Sequence, residues 1–284
     1  MSVQAPISRP GPPFSLIVPI RYLAALLIVG FTLVPILFVV FGGFRTNAQL
    51  NNDPAGLPNP WVLDNYVRVM SQGFFWRFMF NSIFIAAVST FLTVGLGAMT
   101  AYDLSRYRFP GREMIYSLFT IGLLFPLGVA VLPVYLQLHQ LHLLDTPLGV
   151  IIPQVAFALP ITVIILRPFM AAIPSELQDA AEIDGATKLG FFWRILLPLS
   201  RPALVTVAVL SFIGSWNSYL LPLLVFNDQN SFTLPLGVAA FQTQYAADTV
   251  AILAFTTLSL IPALIFFLAL ERQIVGGLTG SVKG

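Results

Sequence analysis

Cysteine is absent from this 284-residue chain, and charge is scarce. Without a thiol there is no disulfide framework, no thiolate metal ligand and no sign of a redox compartment. Asp, Glu, Lys and Arg together make up 9% of the residues, against about 25% in an ordinary soluble domain. There is no G-x-x-x-x-G-K-[S/T] phosphate loop, no H-E-x-x-H and no legible nucleophile–base pair. The chain therefore offers no catalytic residue and no nucleotide site of its own. His139 and His142, with Asp145 as the nearby carboxylate, read as interfacial histidines, and no residue is assigned to a metal.

What is present is apolar. Hydrophobic residues make up 57% of the chain. Six windows match the length of a bilayer-crossing helix, about 17–25 residues: Tyr22–Phe41, Ser82–Tyr102, Ile115–Leu136, Leu148–Leu166, Ala203–Phe226 and Val250–Leu270. None contains a formal charge, and none alternates in polarity as a barrel strand does. The predicted fold class is an all-α integral membrane protein with six transmembrane helices. The first window is expected to remain as a span. Arg9 and Arg21 precede it in a Pro-rich leader, and no small-residue cleavage site follows it. Residues 1–15 are expected to be a disordered cytoplasmic N-terminus, with 16–284 forming the transmembrane domain.

With an inner N-terminus, eleven of the 14 Lys and Arg residues fall inside, and only Arg45, Arg68 and Arg77 fall outside. This positive-inside bias puts both termini in the cytoplasm. It also accounts for the net charge of +2 without any nucleic acid partner. In the first outer loop, residues 63–80 read as an amphipathic helix on the interface, with Phe74, Phe75 and Trp76 as belt aromatics. Seven prolines lie in the windows, namely Pro35, Pro126, Pro133, Pro153, Pro160, Pro222 and Pro262; they suit bending helices, though proline is common in membrane helices generally.

Between the fourth and fifth windows lies a polar insert, residues 174–202. Ser175 and Gln178 have the spacing of a capping box, and Glu176 and Asp179 place negative charge in a first helical turn. Ala180 and Ala181 keep one side thin, and Gly185 is placed to end the helix. Thr187 can cap a second helix running to Leu196 and ending before Pro198. An amphipathic hairpin padding the inner leaflet is the plain alternative, but the acidic first half would face anionic lipid.

The run Asp179-Ala180-Ala181-Glu182-Ile183-Asp184-Gly185-Ala186, followed by Ile195 and Leu197-Pro198, resembles the EAA loop of bacterial ABC-importer permeases, with Asp179 in place of the usual Glu. Further runs are similar to the carbohydrate-uptake, maltose-type permeases: Asn81-Ser82, the stretch Ala101–Tyr107 with Phe109-Pro110-Gly111, Ser215-Trp216-Asn217, and the tail Val275–Gly284. Asp103 stands where that family more often has Ala. The resemblance implies that residues 174–202 form a coupling loop seated on a cytoplasmic ATPase, with Glu176, Asp179, Ala180, Ala181, Asp184, Gly185 and Ala186 as docking residues. It implies a second tail contact through Gly276, Gly277 and Gly280, for which a frayed terminus is the alternative. The implied assembly holds a second homologous permease, two ATPase subunits that bind ATP–Mg, an extracytoplasmic binding protein and a sugar substrate, in the bacterial inner membrane. This chain itself would bind no cofactor.

A sugar path needs hydrogen-bonding and aromatic groups without strong charge. The candidates are Asn81, Ser82, Ser215, Trp216, Asn217 and Tyr219, with Ser211 and Ser218 beside them; a structural interhelical bond is the competing role for Asn217. The outer residues 227–248 are expected to meet the binding protein. Three other readings remain: an ion-gradient-driven secondary transporter, an importer for a polyol or glycerol phosphate, and a membrane scaffold. The first is weakened by the lack of any charge within a span.

Overall fold

The computed structural model describes residues 17–241 and 248–280, with only the backbone path given for 17–18 and 270–280. The expected N-terminal disorder and residues 281–284 of the tail lie outside the described residues, as do 242–247 of the outer loop. All regular elements among the described residues are helical. Four helices are each long and apolar enough to cross a bilayer: α1 (Ile17–Gly42), α4 (Gly73–Arg106), α7 (Pro147–Ala172) and α14 (Thr249–Gly280). Two bent pairs bring the number of candidate spans to six. One is α5 (Arg112–Gly122) with α6 (Leu127–Gln140), bent by 103°; the other is Lys188–Leu199 with α11 (Arg201–Trp216), bent by 79°.

Two predicted windows are thus not single helices. The third, Ile115–Leu136, breaks at residues 123–126. Pro126 has no N–H to donate and disfavours helical backbone at Phe125, so the chain turns before α6 begins. The fifth, Ala203–Phe226, stops at Trp216 and resumes as α12 (Leu220–Val225). Pro222 cannot donate to the Ser218 carbonyl, and Asn217 and Ser218 are residue types that compete with helical backbone bonds. Pro35, Pro153, Pro160 and Pro262 sit inside continuous helices. The expected interfacial helix over 63–80 is also divided. α3 (Asp64–Ser71) is separate, and Gly73 opens α4, so Phe75 and Phe78 are core residues and Trp76 alone of the trio is exposed.

α4 is the centre of the bundle, packed between α7 and α11. A β-carbon at Gly97 would overlap the Thr162 methyl, so glycine there lets α4 and α7 approach closely. Stacking of Phe212 on Phe266, with centroids 3.8 Å apart, joins α11 to α14. α1 packs chiefly on α14, and none of its best membrane window is buried.

The end of the bundle remote from the 174–202 insert is tied by polar groups. The Asn65 amide donates to the Gly43 and Arg45 carbonyls at 2.9 and 2.8 Å. Buried Arg45 in turn donates to the carbonyls of Pro54, Gln49 and Asp53, drawing the first loop around α2 (Asn47–Asn52) into a compact unit. Asp145, at φ 56°, accepts from the backbone amides of Asn227 and Asp228 at 2.5 and 3.0 Å, clamping the loop before α7 to the end of α12. Those amides hold its carboxyl below the usual carboxylate pKa, the Asp228 amide most. A depressed folded pKa adds stability that is fully present above the unfolded value of 3.8 and fades as pH falls through the lower folded one. Asp145→Asn should therefore lower the thermal midpoint in detergent at neutral pH. The gap to wild type should stay constant down to about pH 5 and narrow only below about pH 4. A gap that closed by pH 6 would contradict the clamp.

Candidate functional site: the 174–202 loop and a cavity at Gln154

The insert folds as α8 (Glu176–Ile183), a tight turn, and a second helical stretch made of α9 (Lys188–Phe191), a π-turn over Phe192–Leu196 and α10 (Leu197–Leu199). The turn after α8 is a Schellman motif. Gly185 has φ 81°, its N–H donates to the Glu182 carbonyl at 3.0 Å, and the Ala186 N–H reaches the Ala181 carbonyl at 2.8 Å. Thr187 caps α9, its hydroxyl accepting from the Gly190 N–H at 3.0 Å.

Two local expectations are corrected. Ser175 has helical backbone angles and makes no side-chain cap, so the capping box with Gln178 does not form. Ser175 already belongs to the helix, with its carbonyl accepting from Gln178 and Asp179, and the Gln178 amide turns instead to Glu182 at 3.1 Å. The second helix also does not stop before Pro198. The π-turn, with Leu197 N–H donating to the Phe192 carbonyl, widens the helix where the proline ring would otherwise meet the preceding turn.

The docking candidates divide by exposure. Glu176, Asp179, Ala180, Asp184 and Gly185 are exposed, Ala186 is half-buried, and Ala181 is buried against the bundle. Among the acids stands Ile183, 87% exposed, and beyond the turn Leu189 and Trp193 are exposed as well. These apolar contacts are missing from the sequence-derived candidates, because Ile183 falls within a run read for its charge.

The loop rests on a platform built by α4 and α7. Phe191, Phe192 and Leu196 are buried with Tyr102, Leu166 and Met170. The Tyr102 hydroxyl donates to the Lys188 carbonyl at 3.0 Å and contacts the Tyr107 hydroxyl. Arg106 donates to the Met170 and Ile173 carbonyls at 3.0 and 2.8 Å, satisfying the last turn of α7 immediately before the insert. Arg167 donates to the Leu104 carbonyl at 3.1 Å and pairs with Glu113 at 2.5 Å. The run Ala101–Tyr107, which sequence alone could only match to a family, thus acts as the loop's mount.

The path candidates are scattered. The Asn81 amide donates to the Asn230 and Phe232 carbonyls at 2.9 and 3.0 Å. Ser82 is buried and accepts from the Leu234 N–H at 2.8 Å, at the start of α13 (Leu234–Gly237). Both tie the Gly73 half of α4 to residues 230–234. Trp216 is buried and, with Asn217, lines a cavity of about 150 Å³ towards α14. Tyr219 is exposed at the break. Ser215 points elsewhere, into a cavity of about 220 Å³ lined also by Ser89, Gln154, Phe157, Ser211 and Ser218. Its hydroxyl donates to Gln154 Oε1 at 2.7 Å, and Ser89 donates to the same atom at 3.0 Å. Gln154 was available as a signal, being the lone amide in the fourth apolar window. Gly276, Gly277 and Gly280 lie on the backbone of α14, which continues past the sixth window to Gly280.

A bundle of apolar helices that opens a cavity with a few convergent polar groups at a helix break, and anchors an exposed loop at one end, is the layout of a membrane permease. Residues 93–276 match the model of the binding-protein-dependent transport system inner membrane component family, and the chain belongs to that family. It is 35% identical over 249 residues to a diacetylchitobiose uptake system permease of Streptomyces coelicolor, covering 87% of this chain and 82% of the relative. It is 34% identical over 273 residues to an arabinooligosaccharides transport system permease of Halalkalibacterium halodurans, covering 92% and 97%. Among solved structures, a chain of a bacterial ABC transporter involved in alginate import superposes with a TM-score of 0.79 over 92% of this chain and 99% of its own length, at 23% identity.

Proposed function

We propose that this chain is one permease subunit of an ATP-driven importer for a sugar or oligosaccharide. It would form half of the translocation path together with a second, homologous permease. ATP–Mg would be bound and hydrolysed by two separate cytoplasmic subunits, and an extracytoplasmic binding protein would deliver the sugar. The loop end of the bundle faces the cytoplasm of a bacterial inner membrane in this reading, and the Asp145 end faces outward. The observation that carries it is the 174–202 loop, a rigidly mounted turn whose outward face combines acids with exposed Ile183. Membership of a binding-protein-dependent transport family and the sugar-importing relatives support the substrate class.

ATP-driven closure of the partner subunits would push on α8, and the push would pass through Tyr102 and Arg106 into α4. The helix end carrying Gly276, Gly277 and Gly280 would be a second contact for the same subunits. The test is uptake by the complete transporter in proteoliposomes, offered a panel including diacetylchitobiose, an arabino-oligosaccharide, a polyol and glycerol phosphate. Uptake of a sugar that needs internal ATP and survives collapse of ion gradients supports the proposal. Uptake that follows the ion gradient without ATP overturns it.

A further inference from the structure

We infer that the cavity at Gln154 is a contact point for an uncharged sugar unit passing through this chain, an inference that rests on the importer reading above. Gln154 Oε1 accepts from two serine hydroxyls, one on α4 and one on α11. Its Nε2 is buried and has no partner. Turning the amide over would exchange the two atoms and still leave one of them unpaired. A tie between helices needs one end of the amide, and that end is in use. The other end is a buried hydrogen-bonding group without a partner, which is costly unless water or a ligand completes it.

The backbone around the cavity points the same way. Two helix breaks open here: Leu127 is the first residue of α6 after its 103° bend, and Ser218 lies in the gap between α11 and α12. Irregular backbone within a membrane protein is tolerated where protein buries it or where it lines a watery cavity, and broken helices commonly frame transport sites. At about 220 Å³ the space holds several waters, each occupying about 30 Å³ in the liquid.

The chemistry of the wall selects the ligand class. Most of its surface is apolar; its polar groups are one amide and the hydroxyls of Ser89, Ser211, Ser215 and Ser218, with the Phe157 ring beside them, and no lining residue is charged. Amide and hydroxyl groups exchange hydrogen bonds with sugar hydroxyls, and an aromatic ring accepts the C–H face of a pyranose. A uronate or phosphate would lose its hydration there and meet no opposite charge. The cavity therefore favours neutral saccharides over acidic ones.

The test uses the complete transporter in proteoliposomes, with the panel sugar that the wild type takes up. Two variants act on the cavity in different ways. Gln154→Met removes the amide at nearly constant volume. Gly214→Leu fills the space from a helical position where an added β-carbon meets no atom within 4 Å. Each should lower the sugar moved per ATP hydrolysed by about tenfold, the worth of one good hydrogen bond or more. ATP hydrolysis stimulated by the liganded binding protein should stay close to wild type. A merely structural tie predicts instead that transport and hydrolysis fall together, and that result, or an unchanged ratio, overturns the inference. If Gln154→Met fails to assemble, Gly214→Leu decides by the same ratio. A wild-type complex that assembles but moves no sugar would refute the importer reading first, before any variant is compared.

Discussion

Gly185→Arg should abolish ATP-dependent uptake while leaving the chain folded in the membrane. The backbone at this position has φ 81°, and an added β-carbon would meet nothing within 4 Å, so the first cost is conformational. A residue with a β-carbon in the left-handed region loses about 1–2 kcal/mol, enough to disturb one turn but not a bundle. Arginine adds a long cation to the exposed face that carries Asp179, Asp184 and Ile183, where a partner would have to seat. Three substitutions separate the two effects. Gly185→Asn, which tolerates left-handed backbone, should keep most uptake; Gly185→Ala should lose part of it; Gly185→Arg should lose nearly all, together with co-purification of the ATPase. Full uptake by the arginine variant would remove the turn from the docking surface.

The second large effect is expected at Arg106. Its guanidinium bonds two carbonyls at the end of α7 and lies 5.9 Å from the Phe191 ring centroid, so it joins three elements at the root of the loop. Hydrogen bonds to charged groups contribute about 1.5–3 kcal/mol each, less where water competes. Arg106→Met should leave both carbonyls unpaired and detach the loop from its mount. The expected result is a loss of uptake of about a hundredfold, corresponding to about 3 kcal/mol, with faster proteolysis within 174–202. Arg106→Lys should recover only part of it: both bonds leave the single nitrogen Nη2, which an ammonium can copy, but the planar guanidinium over the Phe191 ring is lost. Equal uptake by lysine and arginine would show that charge alone matters.

The membrane class and four continuous spans were legible in the sequence, because long uncharged apolar runs have few other uses. The breaks were not. The runs through Phe125–Pro126 and Asn217–Ser218 remain apolar enough to pass as spans, so hydropathy averages across the bend. Proline alone did not locate them either, since Pro153 and Pro160 sit within a continuous α7. In the insert, Gly185 and Thr187 were readable because left-handed turns and N-caps depend on one residue type. The Ser175 box failed because its donor and acceptor types were right while the backbone at Ser175 was already helical. Gln154 was hidden for another reason: its partners lie 65 and 61 residues away, and only packing brings Ser89 and Ser215 to it.

α4 carries Ser82 between its Gly73 end and the cavity, Ser89 at the cavity, and Tyr102 and Arg106 at the loop, on a single proline-free helix of 34 residues. At about 1.5 Å per residue, the loop anchor lies roughly 26 Å from Ser89, and Ser82 roughly 10 Å on the other side. For a rod pivoting near Ser89, the arm to the loop anchor is longer than the arm to Ser82. A stroke applied at the loop would reach Ser82 reversed in direction and reduced to less than half. The buried contact of Ser82 with Leu234 would then move a short distance with greater force, which suits prising open a packed seam better than sweeping a solute across the membrane.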